Sequence, residues 1–184
     1  MIIIPNLLIV TGNARNVGKT TLVDAIIRKF AERHKIIGLK VSILRSDENV
    51  FHGHHHGEPP QTYLIEEETD HSGSSDTSRM ILAGACRSWY VRAQPDYLEK
   101  ALSEFLTIAP TDALIVAESR ALRTVAEPSI LILIERRNPW IGLKSIEDLI
   151  PLASMHIRTG PGYLSLPKTL KRIDTNGKSW HLNV

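Results

Sequence analysis

The chain has 184 residues, 42% of them hydrophobic and 23% charged, which suits one core of ordinary globular composition and excludes a disordered or fibrous class. Its 22 basic and 20 acidic side chains, a formal net charge of +2, are interspersed and leave no basic block for nucleic acid, which is not expected as a partner. No apolar run approaches the ~20 residues that span a bilayer, and the single cysteine, Cys86, closes no internal disulfide. The expectation is therefore a cytoplasmic protein with no membrane partner, in which Cys86 is a small buried hydrophobe.

The opening stretch, "MIIIPNLLIV", lacks the positive n-region and small-residue cleavage site of a signal sequence. Residues 6–11 read instead as a strand buried on both faces of a parallel sheet. A loop follows, made of Gly12, Asn13, Ala14, Arg15, Asn16, Val17, Gly18, Lys19, Thr20 and Thr21. Beyond it Leu22, Val23, Ile26, Ile27 and Phe30 recur at helical spacing, with Asp24, Arg28, Lys29, Glu32 and Arg33 on the other side.

Strand, glycine-bracketed loop, Gly-Lys-Thr and amphipathic helix form the context in which G-x-x-x-x-G-K-[ST] cradles nucleotide phosphates. Gly18 lets backbone N–H groups approach phosphate oxygens, and the helix start adds partial positive charge. Lys19 is expected to bridge terminal phosphates, and Thr20 to offer its hydroxyl to Mg²⁺. Counting back from Gly18, however, puts Asn13 in the first glycine position and Gly12 one residue too early. Arg15 is read either as a solvated loop arginine or as a cation for the γ-phosphate.

"KIIGLKVSIL" reads as a second strand carrying Lys40, and residues 45–60, "RSDENVFHGHHHGEPP", as a long loop. His52, His54, His55 and His56 have three open readings there: a transition-metal site, contacts to phosphate or substrate, and a solvated loop. Asp47 and Glu48 read as solvated loop acids, or as acids that assist a metal. "QTYLIEEET" is a strand with a solvated end, and "DTSRMILAGAC" a helix opened by Ser or Asp capping groups. Asp76 is expected at its start, as a cap alone or as a cap that also meets Mg²⁺ or its water shell.

"SWYVRA" then reads as a short strand. A helix begins at Pro95, with Tyr97, Leu98, Ala101, Leu102, Phe105 and Leu106 as its apolar stripe. "TDALIVAES" is a buried strand ending in Glu118, read as a ligand of Mg²⁺ or as a structural acid paired with Arg120 or Arg123. "SILILIERR" is a further strand, after which Asn138 or an adjacent backbone group is expected near a purine edge. "SIEDLIPLAS" reads as a helix with Ser145 and Asp148 at capping-box spacing. Residues 1–159 read as one nucleotide-binding domain, and 160–184 as a small hairpin-like appendage packed on it. The alternation predicts an α/β fold: a mostly parallel twisted sheet covered by helices on both faces.

"GNARNVGKT" resembles the phosphate loop of dethiobiotin synthetases, G-T-D-T-x-V-G-K-T, within the deviant-loop group of P-loop NTPases. A broader likeness covers residues 6–155. The chain is similar to the molybdopterin-guanine dinucleotide biosynthesis protein B family, which has a Lys ending the second strand, His residues after it, a "GKDS…AGA" segment and D-x-x-x-V-E-G. The counterparts are Lys40, "FHGHHH", "SSDTSRMILAGA" at 74–85 and "DALIVAES" at 112–119. The phosphate loop is longer here, the histidines lie farther from the lysine, and Ser119 stands where the family has Gly.

This resemblance implies an accessory protein of molybdenum-cofactor biosynthesis. It would be a homodimer, binding GTP with Mg²⁺, hydrolysing it slowly and assisting a partner nucleotidyltransferase. The guanine-selecting N-K-x-D is absent, so GTP and ATP both stay open. Two alternatives from other classes stand beside it. One is an ATP-dependent small-molecule kinase or ligase, with Lys40 and the histidine loop holding an anionic substrate. The other is a metal-delivery NTPase using that loop for its cargo.

Overall fold

The computed structural model describes residues 1–44, 62–136, 143–159 and 165–183. Nine strands and four α-helices alternate along them. Strand β1 (Ile2–Gly12) leads into helix α1 (Lys19–Ala31), followed by β2 (Ile36–Ile43), β3 (Tyr63–Glu67), α2 (Asp76–Leu82) and β4 (Arg87–Ala93). Next come α3 (Leu98–Ile108), β5 (Leu114–Glu118), β6 (Ala126–Arg136) and β7 (Met155–Thr159). The last elements are α4 (Leu166–Lys171), β8 (Ile173–Thr175) and β9 (Trp180–Leu182).

Seven strands form one sheet in the order β3-β4-β2-β5-β1-β6-β7, parallel throughout except for β3, which runs antiparallel to β4. An α/β fold with a mostly parallel sheet is therefore present, as the alternation predicts. β1 lies between β5 and β6. Because side chains alternate across a strand, Leu8 and Val10 of β1 and Leu114 and Val116 of β5 pack under α1 with Leu22, Val23, Ile26 and Ile27. On the opposite face Leu7, Ile9, Ile37, Leu39 and Ile115 meet Leu98, Leu102 and Phe105 of α3, with the rings of Trp89 and Phe105 edge to face at 5.6 Å.

Helix α2 comes close to β2. A Cβ on Gly38 would lie 2.7 Å from Met80 Sδ and 2.8 Å from both Met80 Cβ and Ser88 Oγ, so only glycine admits this approach. The buried Asp24 of α1 accepts a hydrogen bond from Arg79 of α2 at 2.7 Å, which ties the two helices together.

Three expectations are corrected. The helix expected over "SIEDLIPLAS" is a turn closed by one 3-10 turn at Ile150–Leu152. Pro151 lacks an N–H and its ring clashes with a preceding helical carbonyl, and Asp148 accepts from Arg120 at 3.0 Å instead of serving a capping box. Cys86 is exposed, its neighbours Ala83 and Ala85 taking the buried positions. The helix expected from Pro95 begins as a 3-10 turn, Pro95–Tyr97, and Tyr97 is exposed.

The final hairpin is pinned to the core. Trp180 is 3% exposed, stands edge-on to Phe30 at 5.1 Å, and donates its Nε1–H to the carbonyls of Asn6 at 3.0 Å and Ile115 at 3.2 Å. Lys29 of α1 donates to the carbonyls of Leu170 and Ile173. Among the described residues no helix is long and apolar enough to cross a membrane.

Candidate functional site

The loop between β1 and α1 accommodates its extra residue by extending strand pairing. Gly12 is the last β1 residue in register with β6, opposite Ile134, and the next amide, that of Asn13, donates to the Ile134 carbonyl at 3.3 Å. The Asn13 side chain then mimics a peptide group: Nδ2 donates to the Arg136 carbonyl at 3.0 Å, and Oδ1 accepts from the Arg136 N–H at 2.9 Å. Gly12 is needed because a Cβ there would lie 2.7 Å from the Ile134 carbonyl oxygen and 2.9 Å from Val17 Cγ2. With Asn13 committed to β6, four residues, Ala14 to Val17, separate it from Gly18. The shorter form of the motif has the same interval between its glycines.

Within that turn Ala14 and Val17 are buried and anchor it, while Arg15 and Asn16 are exposed. Asn16 and Gly18 adopt left-handed conformations, with φ of 56° and 97°, and Gly18 is the N-cap of α1 with no side-chain cap. The first amides of a helix have no intrahelical acceptor, and those at the start of α1 carry the positive end of its dipole. The ammonium of Lys19 folds back on the turn, donating to the Ala14 carbonyl at 2.7 Å. Burial pushes its pKa down, with the Glu118 charge pulling the other way.

Four side chains meet at the first turn of α1. The Thr20 hydroxyl lies 2.7 Å from Glu118 Oε2 and 3.2 Å from Asp76 Oδ1. The Lys40 ammonium lies 2.8 Å from Glu118 Oε1 and 2.8 Å from Asp76 Oδ2. Each comes from a different element, and the local fold explains each placement. Lys40 and Glu118 are register partners on adjacent parallel strands, near the carboxyl end of β2 and at that of β5. Gly38, two residues before Lys40 and so on the same face, lets α2 close in. Ser75, not Asp76, caps α2, its Oγ accepting from the Ser78 N–H at 3.0 Å, which leaves the Asp76 carboxylate for Lys40 and Thr20.

Burial alone would lower the pKa of Lys40, but the Glu118 and Asp76 carboxylates outweigh it and hold the ammonium above its ordinary value. Burial would raise Asp76; the Lys40 hydrogen bond and charge outweigh that and hold its carboxyl below the usual range. Glu118 is 4% exposed and pairs with Lys40, whereas Arg120 pairs with Asp148 and Arg123 donates to the Ala126 carbonyl. Ser119 donates its N–H to Val10 and accepts from the Leu122 N–H, joining the end of β5 to β1 and the following turn.

Lys144 joins the site without a signal in the sequence. Its backbone N–H donates to the Asn13 carbonyl at 2.8 Å, which sets Lys144 against the loop, and its charge adds to the depression of the Lys19 pKa. A lysine in a turn-rich stretch carries no pattern that would have revealed this. Asp47, Glu48, His52, His54, His55, His56 and Asn138 lie outside the described residues. Among the described residues no group of three or more His, Cys, Asp or Glu converges; the oxygen set at Thr20 is a hydroxyl and two carboxylates.

No protein-family model, no curated protein and no solved structure matches this chain significantly.

Proposed function

We propose that this chain binds a purine nucleoside triphosphate with Mg²⁺ in the loop from Gly12 to Thr21 and hydrolyses it slowly. It would act as a deviant-loop P-loop NTPase in an accessory role, similar to the molybdopterin-guanine dinucleotide biosynthesis protein B family. GTP, a homodimer in the cytoplasm and a nucleotidyltransferase partner belong to the same proposal. The observation that carries it is the Thr20 hydroxyl, lying against both Glu118 and Asp76 two residues after an N-cap glycine in the left-handed conformation. That combination joins an anion cradle to a hard-oxygen donor set.

The donor set fits Mg²⁺, which takes oxygen ligands and is usually held by one or two carboxylates together with waters and substrate phosphates. Bound there, the metal would neutralise charge on the phosphate oxygens. The chain's own residues do the remaining work. Lys19 exchanges a neutral carbonyl partner for phosphate oxygens, the α1 amides point at the same anion, and Asn13 holds the turn in shape from β6.

The test is product phosphate released from GTP and ATP over hours, for the wild type and Lys19→Ala. Slow GTP turnover that is lost in the variant supports the proposal. Turnover of ATP that begins only when a small acceptor is added would move the chain to the kinase or ligase class.

A further inference from the structure

Each carboxylate of the pair is held at both of its oxygens. Lys40 takes one oxygen of Glu118 and one of Asp76 at 2.8 Å each, and the Thr20 hydroxyl lies against the other oxygen of each. The lysine stem is fixed by strand register opposite Glu118, and the ammonium is mostly shielded, its side chain 22% exposed. Lys19 lies near enough to sense both carboxylates and Lys40. Two ammonium groups thus stand against two carboxylates, and the cluster is closed on itself in charge.

A divalent cation entering alone must share the carboxylate oxygens with an ammonium ion at contact distance, and like charges that close repel strongly in a partly buried site. A polyphosphate changes the balance, because it brings several negative charges and offers Lys40 another anionic partner. We propose that Lys40 is a built-in counter-cation that keeps a bare divalent metal off Glu118 and Asp76. Metal and polyphosphate then enter as one unit, a linkage in which each raises the affinity for the other. The polyphosphate half rests on the nucleotide reading above; the exclusion of bare metal does not.

The experiment titrates the full chain with Mn²⁺ in the absence of any nucleotide and follows the free-ion signal by electron paramagnetic resonance. Wild type is compared with Lys40→Met, which keeps the stem and removes the charge, and with Lys40→Arg, which keeps a cation. The expected result is one Mn²⁺ bound by Lys40→Met at least about tenfold tighter than by wild type, with Lys40→Arg close to wild type. The gained site should vanish when Asp76→Asn is added to Lys40→Met.

Circular dichroism checks that each variant is folded, and Lys40→Gln replaces Lys40→Met if the latter fails to fold. A folded neutral variant with unchanged Mn²⁺ affinity overturns the proposal, as does a wild type that binds Mn²⁺ without nucleotide as tightly as Lys40→Met does. Because the central comparison contains no nucleotide, a gained site in Lys40→Met stands even if the chain binds no GTP. A GTP-dependent rise in Mn²⁺ binding by wild type beyond that of Lys19→Ala, where GTP chelates only in solution, tests the polyphosphate half separately.

Discussion

The two faces of the central sheet are built from the same strands and carry different work. On β2, Ile37, Leu39 and Val41 point into the apolar cluster under α3, while Gly38, Lys40 and Ser42 alternate with them on the α1 and α2 side. On β5, Ile115 and Ala117 belong to the α3 face, whereas Leu114 and Val116 sit under α1 and Glu118 continues their row to the strand end. The α1 face is apolar along most of its length and becomes ionic only toward the carboxyl ends of β2 and β5. Stability is concentrated where hydrophobic packing runs unbroken, and the charged cluster occupies the margin where the start of α1 also opens toward solvent.

If that division holds, damage to one face should not reach the other. The largest expected effect is Phe105→Ala, which removes a fully buried ring against Trp89 and should destabilise by about 3–5 kcal/mol in urea unfolding. Nucleotide affinity of the folded fraction should stay at the wild-type level; a parallel loss of affinity would break the comparison. Asn13→Ala comes next, at about 1–3 kcal/mol, because it strands the N–H and C=O of Arg136, and it should weaken nucleotide binding by loosening the turn. Lys19→Ala reverses the pattern: its urea midpoint should stay within about 0.5 kcal/mol of wild type, while calorimetric affinity for the triphosphate falls at least about tenfold.

The smallest effect is one of pH. Burial holds the Asp24 carboxyl above its ordinary pKa, the hydrogen bond from Arg79 pulling the other way. A carboxyl with a raised folded pKa binds its proton more tightly in the folded state. Its stabilising contribution is therefore present below the unfolded pKa of about 3.9 and is lost as pH rises through the folded value. Asp76 has the opposite sign: its pKa is lowered, so its contribution is present above the unfolded value and lost as pH falls through the folded one. Subtracting the stability curve of Asp24→Asn from that of wild type isolates the first term. The difference should fall as pH rises from about 4 and then flatten; a difference that rises would mean that Arg79 outweighs burial.

Much of the α1 face was legible in sequence, because strand, glycine loop and helix are contiguous there. Leu22, Val23, Ile26, Ile27 and Phe30 all lie in the core beneath α1, as their spacing predicts. Long-range convergence was not legible. Lys40 meets Glu118 only because β5 inserts between β1 and β2, a strand order that no local pattern encodes. The sequence places Asp76 at the start of its helix, but its freedom from capping depends on Ser75 capping in its stead.

The C-terminal third is the least legible in sequence. β7 is a five-residue edge strand with His156 and Arg158 alternating along it, too short and polar to stand out. The helical period through Ile146, Leu149 and Leu152 is interrupted by Pro151, and only Ile146 and Leu149 of these three are buried. The hairpin around Gly177 looked peripheral because its one large anchor, Trp180, reaches its partners Phe30, Asn6 and Ile115 across the whole length of the chain.

The central claim is that the loop at the start of α1 holds nucleotide phosphates with Mg²⁺. Thermal melting tests it most directly, comparing buffer, GTP and ATP, each with and without Mg²⁺, for wild type and Lys19→Ala. A nucleotide at a hundredfold excess over its dissociation constant stabilises the fold by about 2.7 kcal/mol. The account predicts a clear rise in the wild-type melting temperature, larger with Mg²⁺ and lost in Lys19→Ala. Absence of any shift with either nucleotide, or an equal shift in the variant, would contradict it.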